Sequence, residues 1–459
     1  MPSAQDAAGP RLSRRALVGS AAALAAVGAL GARPGRADAA PGLLRIVDLG
    51  QGAALHPGSP GDLRSGDNRA LLAESGTAAV RLWADWPSLQ PDPAFAPDDP
   101  AGPGAPYLAA LDGQIAAANE DGLRVVLQFY RFPTWANGTA ELAAVRGTDA
   151  EISFAYADRI APAAWERYLA GGRDPAVYTP SRRALEFAVP AEGCGPGSRW
   201  AAMFAFLHER YRPDRGTAPY VDALELVNEP NFQLWPQRAP SPTADPFALG
   251  PVVVQRTVAE MMASARAVSA ATGHPGLLLV PSFADSNQGG RTVTHYDELT
   301  VALLDELAAT GAVVGANEAW AHHNYTDVEG RVEATKTQHL RTLLAGRWTG
   351  MADPTGPVVL ITEGGARLSQ MRALYSTEDP RAAQAESIRL ALERHARTDG
   401  PGAGVWMFAQ YTLHADRSFD CGLLEAWPST TRRPSFAAWS AGPRRPGPTP
   451  PLTTAPDAR

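Results

Sequence analysis

Short apolar runs alternate with longer segments whose apolar positions recur at helical spacing, and this rhythm persists from Leu43 to Ser440. The runs that read as strands are Leu44–Leu49, Ala78–Leu82, Leu123–Phe129, Ala223–Val227, Leu277–Val280, Val313–Ala316 (extending towards Ala321), Val358–Ile361 and Val405–Phe408. They are apolar nearly throughout, as strands covered on both faces are. Helical patterns lie between them. Asp67 can cap a helix that ends at Gly76, and Leu108, Leu111, Ile115 and Ala118 share a face before Gly122. Trp200 to Tyr211 follows Ser198, Val252 to Thr272 is closed by Gly273, and Leu299, Leu303, Leu304 and Leu307 line a helix ending at Gly311. A weaker pattern covers Val332 to Leu344. Asp379-Pro380 is a good N-cap and first-turn pair for a helix reaching about Arg397, and Pro434 to Ser440 is the last. Eight strand–helix units predict the α/β class and a single (β/α)8 TIM barrel. An open Rossmann-like sheet is the rival, but no G-x-G-x-x-G turn follows the first strand.

One connection departs from this rhythm. Residues 130–197, after the third strand, hold no clean strand and are rich in aromatics, Gly and Pro, which predicts an ordered loop insertion beside the cleft. It leaves the barrel on the C-terminal face, where barrel active sites lie.

The ends read differently. Ser13-Arg14-Arg15-Ala16-Leu17 opens an Ala-rich apolar stretch to Ala32, and Ala37-Asp38-Ala39 follows as an A-x-A cleavage pattern. Residues 1–39 are expected to be a twin-arginine-type export signal, too short to span a membrane. No second stretch could span one, so the protein is expected outside the cell without stable membrane insertion. Residues 442–459 are Pro-rich with few large apolar residues and are expected to be a disordered tail. The folded domain is then 40–441. The formal charge is −7, and Lys336 is the only lysine among many arginines. No basic stripe suggests nucleic acid. Export permits a Cys194–Cys421 disulfide without requiring one, and whether the two bridge stays open.

Chemistry gathers at strand ends. Asn228-Glu229-Pro230 follows the fourth run and Glu363 the seventh. In an eight-stranded barrel both glutamates border one cavity, and two facing carboxylates are what cleavage of a glycosidic bond needs. Arg81, at the end of the second strand, is placed to hold a carboxylate charged. His322 and His323 lack the spacing of a metal site, so no metal and no cofactor are expected. His322 reads as structural. Trp83, Trp86, Trp135 and Trp235 lie near C-terminal loops and could pack or carry sugar rings. No G-x-S-x-G elbow supports a serine hydrolase.

These residues together resemble glycoside hydrolase clan A, the retaining β-glycosidase barrels that include families 5 and 39, over residues 43 to 440. The resemblance implies Glu229 as acid/base, Glu363 as nucleophile and Asn228 as partner of the sugar 2-hydroxyl. It further implies that His323 lines the cleft, that Tyr325 hydrogen-bonds the nucleophile and that Trp406 floors the sugar subsite. The segment Arg433-Pro434-Ser435-Phe436-Ala437-Ala438-Trp439 is similar to the start of the clan's last helix. Thr362-Glu363-Gly364-Gly365 departs from family 5, which more often has an aromatic soon after the glutamate. The implied protein cleaves β-linked oligo- or polysaccharides by double displacement and is expected to be a monomer; the alternative is a barrel that binds carbohydrate without cleaving it.

Overall fold

The computed structural model describes residues 42–50, 59–137, 187–190, 192–213, 218–233, 237–238, 252–273, 276–285, 294–332, 335–400, 403–416 and 419–443. The export segment, most of the 130–197 connection, Trp235 and all but the first two residues of the Pro-rich tail lie outside the described residues.

Eight parallel strands close a barrel in sequence order. They are β1 (Leu44–Asp48), β2 (Ala79–Asp85), β3 (Arg124–Tyr130), β4 (Ala223–Glu225), β5 (Leu277–Ala284), β6 (Glu318–His323), β7 (Val359–Glu363) and β8 (Val405–Tyr411). Closure is made by β8 on β1, with Leu44 opposite Met407 and Asp48 opposite Tyr411. The main helices between and after the strands are α1 (Gly66–Ser75), α2 (Ala105–Glu120), α3 (Arg199–Arg210), α4 (Val254–Thr272), α5 (Tyr296–Ala309), α6 (Lys336–Leu344), α7 (Pro380–His395) and α8 (Pro434–Ala441).

Helix ends follow their local chemistry. Ser198 accepts from the Ala201 N–H and Asp379 from the Arg381 N–H, each satisfying a donor the helix leaves orphaned. Gly76 ends α1 at φ 66, a left-handed turn that glycine takes without a Cβ clash. The cap position of α1 is Ser65, not Asp67, which sits in the first turn.

The sixth strand is a correction. Val313–Ala316 is a connection, with Val313 79% exposed, and β6 begins at Glu318. A charged residue opens this buried strand because Arg266 on α4 pairs with it at 2.6 and 2.9 Å and the Gly315 N–H donates to it at 2.8 Å. A buried carboxylate is tolerated when its charge and lone pairs are matched in this way.

Alternation along the strands explains where the chemistry sits. Successive strand residues face opposite sides. Leu44 and Ile46, Ala79, Ala223, Ala319 and Ala321 belong to the apolar cluster that fills the barrel interior. Val47, Val80, Leu82, Val125 and Leu127 belong to the larger cluster under the helices. Continuing the inward series towards the strand ends gives Asp48 after Ile46, Arg81 after Ala79, Glu225 after Ala223 and His323 after Ala321. The interior is thus apolar at its base and ionisable at its C-terminal mouth.

Candidate active site

Glu363 ends β7, and Glu229 follows β4 in a sharp turn. Glu229 has φ 40, an uncommon conformation for a residue with a Cβ. Pro230 then opens a single helical turn, Pro230–Gln233, and the Phe232 N–H donates to the Glu229 carbonyl at 2.8 Å. Asn231 anchors this turn to β5. Its amide accepts from the Ala284 N–H and donates to the Ala284 carbonyl, both at 2.9 Å. The turn that carries this uncommon conformation is thereby pinned to the barrel.

The two carboxylates meet across the barrel mouth. One oxygen of Glu229, one of Glu363 and His323 Nδ1 all lie within 4.8 Å of one another. His323 Nδ1 is 2.9 Å from Glu229 Oε1 and 3.5 Å from Glu363 Oε2. Both oxygens of Glu363 have donors: Arg81 Nη1 on Oε1 at 2.5 Å and the Tyr325 hydroxyl on Oε2 at 2.9 Å. Asn228 Oδ1 accepts from Arg81 Nη2 at 2.8 Å, which orients its amide so that the NH2 end turns away from the guanidinium.

Arg81 is a fully enclosed hub. Besides Glu363 and Asn228 it binds Glu225 through Nε at 2.7 Å and Asp48 through Nη1 at 2.5 Å. Asp48 also accepts from the Trp83 indole N–H at 3.0 Å and from the Gly50 N–H at 2.6 Å, and the Thr362 hydroxyl approaches Glu225 at 3.3 Å. Three buried carboxylates thus share one permanent cation. Replacing Arg81 with alanine strands all three, and removing one partner of a buried ion pair costs about 3–5 kcal/mol. Urea denaturation of the Arg81→Ala variant should show a loss of that order; a loss under about 1 kcal/mol would contradict this role for the hub.

The ionisation of the cluster reflects this crowding. Burial pushes Glu363 up to about 7; the positive charges of His323 and Arg81 oppose the rise, and the nearby Asp48 and Glu229 add to it. Burial would lower His323, but Glu363, and then the hydrogen bond and charge of Glu229, outweigh it and the net direction is up. Asp48 is likewise raised by burial against the pull of Arg81.

This has a measurable consequence for stability. The ordinary value for glutamate is 4.5 and the folded value of Glu363 is about 7, so the folded chain holds this proton more tightly than the unfolded one. The stabilising contribution is complete below the unfolded value and is lost as pH rises through about 7. Glu363→Gln keeps a neutral side chain at every pH. We expect it to be more stable than wild type at pH 8, by at most about 3 kcal/mol, with the advantage vanishing near pH 4. Denaturation midpoints at the two pH values test this, and an advantage independent of pH contradicts it.

Among the described residues, Glu229, His323 and Glu363 are the one group whose donors could converge on a metal ion. The 2.9 Å contact between His323 and Glu229 is of hydrogen-bond length, and Arg81 already places a cation on Glu363. The donor set suits proton transfer better than it suits a second cation.

Six of the eight residues singled out from the sequence meet here: Glu229, Glu363, Asn228, Arg81, His323 and Tyr325. Trp406 does not. It is the second residue of β8, at the barrel's N-terminal end, packed with the interior apolar cluster, and its indole N–H donates to Asp353 at 3.0 Å. The aromatic at the other end of β8 is Tyr411, partly exposed, 6.3 Å from the Tyr325 ring and 5.3 Å from Phe419. The error arose from placing the strand's end at Phe408, three residues early. Trp135 also stands apart from the carboxylates: it donates to the Gln90 carbonyl at 2.9 Å and meets Trp86 edge-on. Of the other tryptophans, Trp83 adjoins the site through Asp48, while Trp86 is core. His322 is fully buried against Tyr296 and burial lowers it to about 3, in keeping with a structural place. Cys194 and Cys421 are both buried and free, so they do not bridge.

Sequence reasoning missed Asp48, Glu225 and Tyr411. The first two carried a signal, since each is an acidic residue that continues the inward phase of an otherwise apolar alternation, Asp48 after Leu44 and Ile46 and Glu225 after Ala223.

No protein-family profile and no curated protein matches this chain. Solved structures are similar to it at low identity. A family 39 glycoside hydrolase from the gut symbiont Bacteroides cellulosilyticus is 15% identical, with a TM-score of 0.46, over 87% of this chain and 63% of its own. The chain therefore spans less than two thirds of that protein. A GH5_18 variant from Bifidobacterium longum in complex with Manβ1-4GlcNAc is 15% identical, with a TM-score of 0.48, over 87% and 77%. A Cellvibrio japonicus Xylanase10C variant in complex with xylopentaose is 10% identical, with a TM-score of 0.47, over 88% and 67%. The barrel is read from this chain's own strand order. What the site does is argued from its own residues.

Proposed function

We propose that this chain hydrolyses β-linked O-glycosidic bonds with retention of anomeric configuration. The observation that carries the reading is the closeness of Glu229 and Glu363, with oxygens within 4.8 Å across one barrel mouth. Retaining enzymes hold their carboxyl groups about 5–5.5 Å apart, whereas inverting ones leave about 6.5–9.5 Å for a water.

The hydrogen bonds divide the roles. Glu363 has a guanidinium on one oxygen and a phenol on the other; the guanidinium opposes the rise that burial imposes and both donors aim the group, which suits the nucleophile. The Glu229 side chain is more open, 16% exposed against 6% for Glu363, and faces His323. That suits a group that must exchange protons with a leaving group and then with water. In the first step a Glu363 oxygen bonds to the anomeric carbon while the glycosidic C–O bond breaks and Glu229 protonates the departing oxygen. In the second, Glu229 takes a proton from water as the water oxygen attacks the anomeric carbon and the Glu363 ester bond breaks. In this reading Asn228, whose Oδ1 is held by Arg81, donates its NH2 to the sugar 2-hydroxyl. Its N-terminal sequence supports export, and the protein is proposed to act as a monomer.

The test is hydrolysis of a panel of aryl β-glycosides and β-linked polysaccharides, with the first-formed product followed by proton NMR. A β-anomer appearing before mutarotation supports the reading. An α-anomer first, or silence from a folded protein across the panel, overturns it.

A further inference from the structure

We propose that Asp48 is a positioning residue that sets how readily Glu363 ionises by sharing Arg81 with it; the proposal rests on Glu363 being the nucleophile.

The three guanidinium nitrogens of Arg81 are divided among four partners. Arg81 Nε is taken by Glu225 at 2.7 Å and Nη2 by Asn228 at 2.8 Å. Only Nη1 faces Glu363, and Asp48 binds the same nitrogen, both contacts measuring 2.5 Å. Asp48 cannot swing away, because the Trp83 indole and the Gly50 N–H hold its other oxygen. It is fully enclosed, as is Glu225, so neither touches a sugar seated at the mouth. Asp48 therefore acts on the reaction only through the arginine and through its charge.

The charges around Glu363 make that effect directional. Facing it are Arg81 from β2, Asp48 from β1, Glu229 from the turn after β4, His323 from β6, Tyr325 just beyond β6 and Tyr411 from β8, with Glu225 from β4 behind the arginine. Four carboxylates confront one permanent cation and one histidine. Each ionised carboxylate makes the next harder to ionise, and a like charge held on the same nitrogen, through its second N–H, does so most directly. Asp48 thus keeps Glu363 from being an inert, fully neutralised partner of Arg81. Its loss would leave Nη1 to Glu363 alone.

The experiment is a carboxyl 13C NMR titration of the full chain, with Glu363 assigned from the Glu363→Gln spectrum, in wild type and in Asp48→Asn. The expected result is a fall in the Glu363 midpoint of about one pH unit in the variant. An unchanged or raised midpoint overturns the proposal. If Asp48→Asn fails to fold, the wild type decides. Coupled groups titrate in two steps shared by both signals, so two-step curves at Asp48 and Glu363 support the proposal and independent single-step curves overturn it. The titration reads no turnover, which separates the two claims. A shifted midpoint in a protein silent on every glycoside leaves the Asp48 coupling standing and removes the glycosidase reading; an unshifted midpoint in an active enzyme does the reverse. In an active enzyme, the acid limb of kcat/KM should move down with the midpoint, whereas a merely structural Asp48 would lower activity at every pH alike.

Discussion

Glu363→Ala is expected to lower turnover by a factor on the order of 10⁴ or more, the scale on which loss of a nucleophile acts. The loss should come without unfolding. Alanine relieves the cost of a buried carboxyl that burial has already pushed up to about 7, and Arg81 keeps Asp48 and Glu225 as partners. The cavity left beside Arg81 and Tyr325 is the space a small anion would need. Azide should therefore restore turnover of an activated aryl β-glycoside by attacking the anomeric carbon from the vacated side, giving an α-glycosyl azide. A variant with full activity, or a rescued product of β configuration, would assign the nucleophile elsewhere.

Glu229→Ala is expected to fail differently. A positioned acid/base contributes about 10²–10⁴-fold. The deficit in the first step should depend on the leaving group: large for an alkyl glycoside, which needs a proton, and small for a dinitrophenyl glycoside, which does not. For the good leaving group the glycosyl-enzyme should accumulate, because nothing activates water. Azide needs no general base, so here it should yield a β-glycosyl azide. The variants thus give azides of opposite configuration from the same substrate. Leaving groups that all suffer equally would mean that Glu229 is not the acid.

The architecture and the facing carboxylates were legible for a physical reason. Parallel strands buried on both faces leave dense apolar runs, and the residue after such a run is at the barrel mouth, so Glu229 and Glu363 could be placed together from strand order alone. Strand ends were less legible, because interior ionisable groups break the apolar signal where the site begins. β8 continues through Ala409 and Gln410 to Tyr411, and stopping it at Phe408 put Trp406 at the wrong end of the barrel. β6 was blurred by Glu318, whose partner Arg266 lies on α4 and leaves no mark nearby in sequence. The Arg81 hub is the extreme case: its partners come from β1, β4 and β7, so only closure of the barrel brings them to one guanidinium.

The most direct measurement is to treat the wild-type protein with a 2-deoxy-2-fluoro β-glycoside of the sugar identified by the panel, carrying a good leaving group, and to map the labelled peptide by mass spectrometry. The fluorine slows both steps, and the leaving group restores only the first, so the glycosyl-enzyme is trapped. One sugar on Glu363 is the predicted result. A sugar on Glu229, or on any other residue, would contradict the double displacement described here.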